Sequence, residues 1–149
     1  LLIKYWIYNK EIINSFEPNH KNIKLFFYFG ISSAIFLILH SIFLGVKFDN
    51  DFYKLFRRVI LLSFIIFEIA AQYYLVKTIY SLKDKIFKFL NEKILKTKLI
   101  LVSLLIIVAI ISIPLVSMPG NTSLKHALEW DYFLGVITFY LLTFLMWKK

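Results

Sequence analysis

Four long runs of apolar residues, separated by more polar stretches, dominate the pattern of the chain. They cover about residues 25–46, 59–76, 99–118 and 130–147. A helix needs about 20 mostly apolar residues to cross a hydrocarbon core, and each run has or approaches that length. Because backbone N–H and C=O groups in lipid must be bonded within the segment, and the runs are too long for barrel strands, they predict transmembrane helices.

The connections between these runs indicate how the helices are arranged. The first and third connections are about a dozen residues long, which favours antiparallel neighbours. The second connection, residues 77–98, is longer, and its apolar residues recur at the spacing of an amphipathic helix on a membrane surface. We therefore expect an all-α integral membrane protein: a single domain with four transmembrane helices in an antiparallel bundle, and an amphipathic helical cytoplasmic loop between helices two and three.

The distribution of lysine and arginine predicts the orientation of this bundle. Of the 18 basic residues, 13 lie in the N-terminal stretch, the 77–98 connection and the C-terminus. The 5 on the opposite side are Lys47, Lys54, Arg57, Arg58 and Lys125. Since cytoplasmic connections carry the excess of Lys and Arg, the basic side is expected in the cytoplasm, with the bundle in a bacterial inner membrane or an organellar equivalent.

Composition supports a membrane location and narrows the chemistry. The chain is 60% hydrophobic, has a mean hydropathy of +0.73, and carries a net charge of +9. Because its lysines flank apolar runs, we expect them to contact anionic lipid headgroups rather than nucleic acid. The lysines expected to do so are Lys83, Lys85, Lys88, Lys93, Lys96 and Lys98. The absence of cysteine excludes disulfides, thiolate metal sites and cysteine nucleophiles.

The first eight residues are apolar and aromatic apart from Lys4. This pattern is typical of the end of an earlier spanning helix or of a short interfacial helix. We accordingly expect the N-terminus of the sequence to be incomplete.

A polar pair interrupts the second apolar run. Glu68 lies near the middle of that run, where an ionised side chain costs several kcal/mol unless it is paired, hydrated or protonated. Gln72 follows four residues later and so shares its helical face. The pair is a candidate intramembrane site for protons, a cation or a polar ligand; the alternative is a neutral glutamate that holds helices together through Gln72 or a neighbouring hydroxyl.

A second polar group lies on the outer side and contains His40, His126, Glu129 and Asp131. Imidazoles and carboxylates are suitable ligands for a metal, and histidines are axial ligands for haem. The spacing supports neither specifically, and interface histidines that bond a neighbouring backbone are the more common case. The sequence therefore identifies no metal or cofactor, and we expect none.

Two further features concern helix packing. Pro114 removes a backbone hydrogen bond inside the third run and predicts a kink. Small residues at four-residue spacing in the first run, Gly30 with Ala34 and Ser41 with Gly45, predict a close contact with another helix or a homodimer interface.

No phosphate-binding loop, paired-histidine metalloprotease motif or serine elbow occurs in the sequence. We therefore expect a non-enzymatic protein, namely a small subunit or assembly partner in a membrane complex, associated with other subunits or with its own copies. The first alternative is a small transporter or proton-coupled carrier that uses Glu68 and Gln72. The second is a haem or metal protein that uses His40 and His126.

Overall fold

The computed structural model describes residues 1–18, 20–46, 50–117 and 122–147, and nearly all of these are helical. Helices α1 to α6 span Leu2–Phe16, Lys21–Leu44, Asp51–Ser81, Lys83–Ile86, Glu92–Ser117 and Thr122–Met146. A 3-10 helix, Phe87–Phe89, follows α4. The described ranges contain no β-strand, although Leu90 and Trp147 form an isolated antiparallel bridge. The predicted all-α class is confirmed.

Three helices are long and apolar enough to cross a membrane. They are Lys21–Leu44, Leu55–Ser81 and Glu92–Ser112, with mean hydropathies of 2.0, 2.0 and 2.6. They contain most of the first three predicted runs. The fourth run lies in α6, whose apolar part within the described residues is the shorter segment Trp130–Met146. The chain thus has the features of an integral membrane protein with three candidate spans.

Polar side chains at the helix starts explain why these helices begin where they do. His20 precedes α2, and its Nδ1 accepts from the backbone N–H of Asn22 at 3.3 Å. Asn50 and Asn91 act in the same way before α3 and α5, accepting from backbone N–H groups two residues later. These bonds satisfy N–H groups that the first turn of a helix leaves without a helical acceptor.

The chain divides into two compact units, Leu1–Thr78 and Ile79–Lys149, with the boundary inside α3. We call them the N-terminal and C-terminal units; the single domain expected from the sequence stays a prediction. In the N-terminal unit, Phe29 near the start of α2 stacks on Tyr74 late in α3. Phe43 near the end of α2 packs against Tyr53 early in α3. Helices α2 and α3 are therefore antiparallel neighbours.

In the C-terminal unit, α5 and α6 are also antiparallel. Asn91, just before α5, donates its N–H to the carbonyl of Met146 at the end of α6, at 2.8 Å. Farther along, Leu105 of α5 lies against Gly135 of α6, where an added Cβ would be 2.6 Å from Leu105 Cδ2. Because this glycine has no side chain, the two helix backbones can approach closely there.

The 77–98 connection differs from its prediction. Instead of one amphipathic helix, α3 continues to Ser81, α5 begins at Glu92, and only α4 and the 3-10 helix lie between them. The apolar spacing nevertheless identified side chains that pack inward, since Leu82, Ile86 and Leu90 are all buried. The helix cannot continue through Leu90, since the backbone there pairs with Trp147 and Asn91 starts a new helix.

The two packing features have mixed outcomes. Gly30 and Ala34 are buried, as a close helix contact requires, whereas Ser41 and Gly45 are exposed within the described residues. Pro114 lies inside α5, which continues to Ser117. Its side chain is outside the described part, and the kink stays a prediction.

Candidate functional site

The polar pair predicted on the second run lies on one face of α3, fully buried. Glu68 and Gln72 are both 0% exposed. Gln72 Nε2 donates to Glu68 Oε1 at 2.9 Å, as the four-residue spacing allows. The structure thus brings the two predicted residues into direct contact, away from the exposed surface of the helix.

A third residue, Ser33 of α2, completes this site. Its Oγ lies 2.6 Å from Glu68 Oε2, and its side chain is also 0% exposed. The same Oγ lies 2.8 Å from the carbonyl oxygen of Gly30, one turn earlier in α2. Each carboxyl oxygen of Glu68 therefore has a polar neighbour, one on its own helix and one on the adjacent helix. We call Ser33, Glu68 and Gln72 the carboxyl site.

The sequence indicated that a hydroxyl of a neighbouring helix was a suitable partner, but it did not identify Ser33. Helix α2 also carries Ser32 and Ser41, which are equally polar in a linear pattern. Ser33 is distinguished by its place between two buried small residues, Gly30 and Ala34. The available signal was that Ser33 lies on the buried side of α2, one turn after Gly30, which itself contacts Trp6 of α1.

Aromatic rings hold α2 against α3 around the carboxyl site. Phe36 stacks on Phe67 with ring centroids 5.4 Å apart and an interplanar angle of 11°. Phe29 lies 5.8 Å from both Phe67 and Tyr74. Offset ring contacts of this kind add to the area that each ring buries. They fix the register that places Ser33 opposite Glu68.

Helix α1 covers the other part of this contact region through Trp6. The indole of Trp6 is 0% exposed and lies on Gly30, where any added Cβ would overlap the ring atoms Cγ, Cδ2 and Cε2. Lys10 of α1 lies over the ring of Phe27 at 4.2 Å from its centroid. Gly30 therefore serves both contacts, because its missing side chain admits Trp6 and its carbonyl lies beside Ser33.

The C-terminal unit buries a second ionisable side chain, Lys98, and here the structure corrects the sequence prediction. Lys98 was expected to contact lipid headgroups, but it is 0% exposed. Its Nζ donates to Thr143 Oγ1 at 2.5 Å and lies 4.0 Å from the ring centroid of Phe139. The reason is periodicity: Lys98 shares a helical face with the buried residues Leu95, Val102 and Leu105 of α5, which packs on α6.

The other lysines of the 77–98 connection have accessible side chains. Lys85, Lys88, Lys93 and Lys96 are exposed, and Lys83 is half-buried. Lys96 forms an ion pair with Glu92 at 3.0 Å, one turn earlier. Phe89, 53% exposed, lies among them. Their positions are compatible with headgroup contact, which stays a prediction.

The outer-side group of histidines and carboxylates is only partly described. His40 is half-buried in α2, and Asp131 is exposed on α6. The side chains of His126 and Glu129 lie outside the described residues. Within the described part of the chain, no three His, Asp or Glu side chains gather closely enough to hold a metal ion. The haem and metal hypothesis therefore gains no geometric support from the residues that the structure describes.

Comparisons with family models, with curated proteins and with solved structures found nothing that matches this chain. Among the described residues, the buried carboxyl of Glu68 and the buried amine of Lys98 each lie between two antiparallel helices.

Proposed function

We propose that this chain is a non-enzymatic membrane protein that serves as a small subunit or assembly partner in a membrane complex. One observation carries the proposal: most residues of the candidate spans are only partly covered or are exposed. Only 22%, 39% and 22% of their most apolar windows are buried within the chain. The buried ionisable groups Glu68 and Lys98, in contrast, each bond to a side chain of a neighbouring helix in the same unit. Such a chain offers other membrane components an apolar surface rather than a reactive centre.

Helix α5 shows this surface most clearly. Ile100, Leu104, Ile107 and Ile111 follow one another at spacings of four, three and four residues and are 64%, 53%, 57% and 57% exposed. This spacing places them on one side of the helix, and we call them the α5 stripe. The opposite side packs on α6. A stripe of this length suits a helix of another subunit or the lipid chains around the protein.

Site-specific photocrosslinking distinguishes these two environments. A photoreactive amino acid at Ile107 should form an adduct with one partner of fixed mass in native membranes. The matched control is Val102, which is 2% exposed on the opposite side of α5 and should give no intermolecular adduct. If Ile107 gives no protein adduct and the chain is isolated from mild detergent as a monomer, the subunit proposal is wrong.

The proposed topology has four spans, with α6 as the fourth and the basic connection in the cytoplasm of a bacterial inner membrane or organellar equivalent. Two observations support it: α6 packs antiparallel to α5, and the apolar segment Trp130–Met146 rises by about 25 Å as a helix. The lysines of the 77–98 connection, with the exception of Lys98, would then contact anionic headgroups.

Because the natural chain has no cysteine, single cysteines test this topology without interference. A membrane-impermeant thiol reagent should label Ser123→Cys in intact cells. It should label Lys88→Cys only after the cells are opened. Lys149→Cys, which follows α6 in the sequence, should behave like Lys88→Cys. Labelling of Lys88→Cys from outside would reverse the orientation, and labelling of Ser123→Cys and Lys149→Cys from the same side would contradict the fourth span.

A proton-coupled carrier is the second candidate, and the burial of Glu68 favours it. An acid inside a candidate span is costly, and such residues often belong to ion or proton pathways. In reconstituted vesicles, Glu68→Gln should abolish proton-dependent flux, whereas the exposed Glu92→Gln should leave it intact. Unchanged flux in Glu68→Gln removes this candidate.

A further inference from the structure

The hydroxyl of Ser33 lies close to two oxygen atoms at once. Its Oγ is 2.8 Å from the Gly30 carbonyl oxygen and 2.6 Å from Glu68 Oε2, both within hydrogen-bond range. A hydroxyl has one hydrogen to donate. A hydrogen shared between both acceptors would give two bent and weakened bonds. Two good bonds require a second hydrogen, and the Gly30 carbonyl has none.

The missing hydrogen can come from a protonated carboxyl on Glu68. In that form Glu68 Oε2 donates to Ser33 Oγ, and Ser33 donates in turn to the Gly30 carbonyl, a common bond for serine within a helix. The other carboxyl oxygen, Oε1, accepts from Gln72 Nε2 at 2.9 Å. A neutral acid can donate through its O–H and accept at its carbonyl oxygen, and the contacts with Ser33 and Gln72 match these two roles.

The burial of the carboxyl site also favours a protonated Glu68. Ser33, Glu68 and Gln72 are all 0% exposed, so bulk water does not compete for the carboxyl group. Charging a group in such surroundings is costly, and a bound proton removes that cost.

Titratable residues on the neighbouring helices also affect the protonation of this site. On α2, His40 follows Ser33 by seven residues and lies on the same side of the helix, two turns away. On α3, Arg57 shares the face of Glu68 three turns earlier. The buried face of α1 presents Trp6, Asn9 and Ile13, none of which titrates. His40 is therefore the neighbouring residue whose proton must be distinguished from the proton on Glu68.

We propose that the carboxyl site is a proton-binding site, in which one proton is held between Glu68 Oε2 and Ser33 Oγ. The inference does not depend on a partner subunit or on transport activity. It supplies the bound proton that the carrier candidate would need, yet it is tested without measuring flux.

Infrared difference spectroscopy of the purified protein tests the proposal. At pH 7 the spectrum of the natural protein minus that of Glu68→Gln should contain the C=O stretching band of one protonated carboxyl, which shifts in heavy water. The matched control, Glu92→Gln, changes an exposed carboxylate paired with Lys96 and should contribute no such band. A Glu68→Gln difference that contains only ionised-carboxylate bands would overturn the proposal.

Two further variants locate the proton. Ser33→Ala should retain the band and move it to higher frequency, because the carboxyl loses its acceptor. His40→Gln should leave the band in place, and its loss in that variant would assign the proton to the histidine and overturn the proposal.

Stability provides an independent readout. In Glu68→Gln the amide can donate to Ser33 and accept from Gln72, as the protonated acid does. Its unfolding midpoint in mixed detergent micelles should therefore equal that of the natural protein. A clearly lower midpoint would show that the site holds the ionised form and would also overturn the proposal.

Discussion

The two units of this chain each bury an ionisable side chain between antiparallel helices, but they satisfy it differently. In the N-terminal unit, Glu68 has an amide on its own helix and a hydroxyl on the next. In the C-terminal unit, Lys98 has one hydroxyl oxygen and the face of an aromatic ring. A carboxyl can become neutral and still use both of its oxygens, whereas the ring and hydroxyl around Lys98 favour a cation without balancing its charge. Two side chains that are equally buried can therefore contribute differently to the stability of the protein.

A second difference concerns one glycine at a helix contact in each unit. Gly30 is covered by the rigid indole of Trp6, whereas Gly135 is covered by the flexible end of Leu105. A Cβ at Gly30 therefore meets a ring that cannot bend away, while Leu105 can change rotamer. The N-terminal unit should tolerate less change at its helix contact than the C-terminal unit.

The largest expected effect tests this glycine contrast. Gly30→Ala should lower the free energy of unfolding by about 1–2 kcal/mol, since the cost of overpacking exceeds the gain in helix propensity. Gly135→Ala should change it by less than about 1 kcal/mol, because the same propensity gain offsets a small side-chain shift. Unfolding by SDS in mixed micelles, followed by circular dichroism, measures both.

Gly45→Ala is the matched control, because among the described residues an added Cβ there meets only the Ile42 carbonyl oxygen, at 3.7 Å. If Gly30→Ala is as stable as Gly45→Ala, Trp6 does not pack on Gly30, and the contrast between the two units fails.

An intermediate effect is expected when the hydroxyl of the carboxyl site is removed. Ser33→Ala should cost about 1 kcal/mol, which is typical of one hydrogen bond between membrane helices. Ser103→Ala is the control: its hydroxyl bonds only to the Leu99 carbonyl of its own helix, and the residue is exposed. The same unfolding assay applies. Equal midpoints for the two variants would mean that the Ser33 to Glu68 bond contributes nothing to stability.

The smallest effect is expected at Lys98. Lys98→Met keeps an unbranched side chain, one atom shorter, and removes a buried ionisable amine, while Thr143 can still donate to the Phe139 carbonyl at 2.9 Å. Replacing a buried charge by an apolar side chain of similar volume is often neutral or stabilising. We expect a change of less than about 1 kcal/mol, measured against Lys93→Met on the exposed side of α5. A loss of several kcal/mol in the free energy of unfolding would show that the contacts of Lys98 stabilise it as well as those of Glu68 stabilise the carboxyl group.

The sequence by itself determined the all-helical class, most of the extent of three membrane-length helices, and the shared face of Glu68 and Gln72. These features follow from local periodicity: which residues lie within one helical turn, and how long an apolar run is, depend only on positions along the chain. The burial of Leu82, Ile86 and Leu90 belongs to the same class.

Tertiary structure alone decided the partner of Glu68, the burial of Lys98 and the break at Leu90. Ser33, rather than Ser32 or Ser41, is the partner because of the register between α2 and α3, in which Phe29 and Phe36 pack on Phe67. Lys98 is buried because it lies on the face of α5 that packs on α6. The helical pattern ends at Leu90 because its backbone pairs with that of Trp147, which is distant in sequence. The physical reason is common to all three: contacts between helices depend on which side chains fit together in space, and a linear pattern does not contain that register.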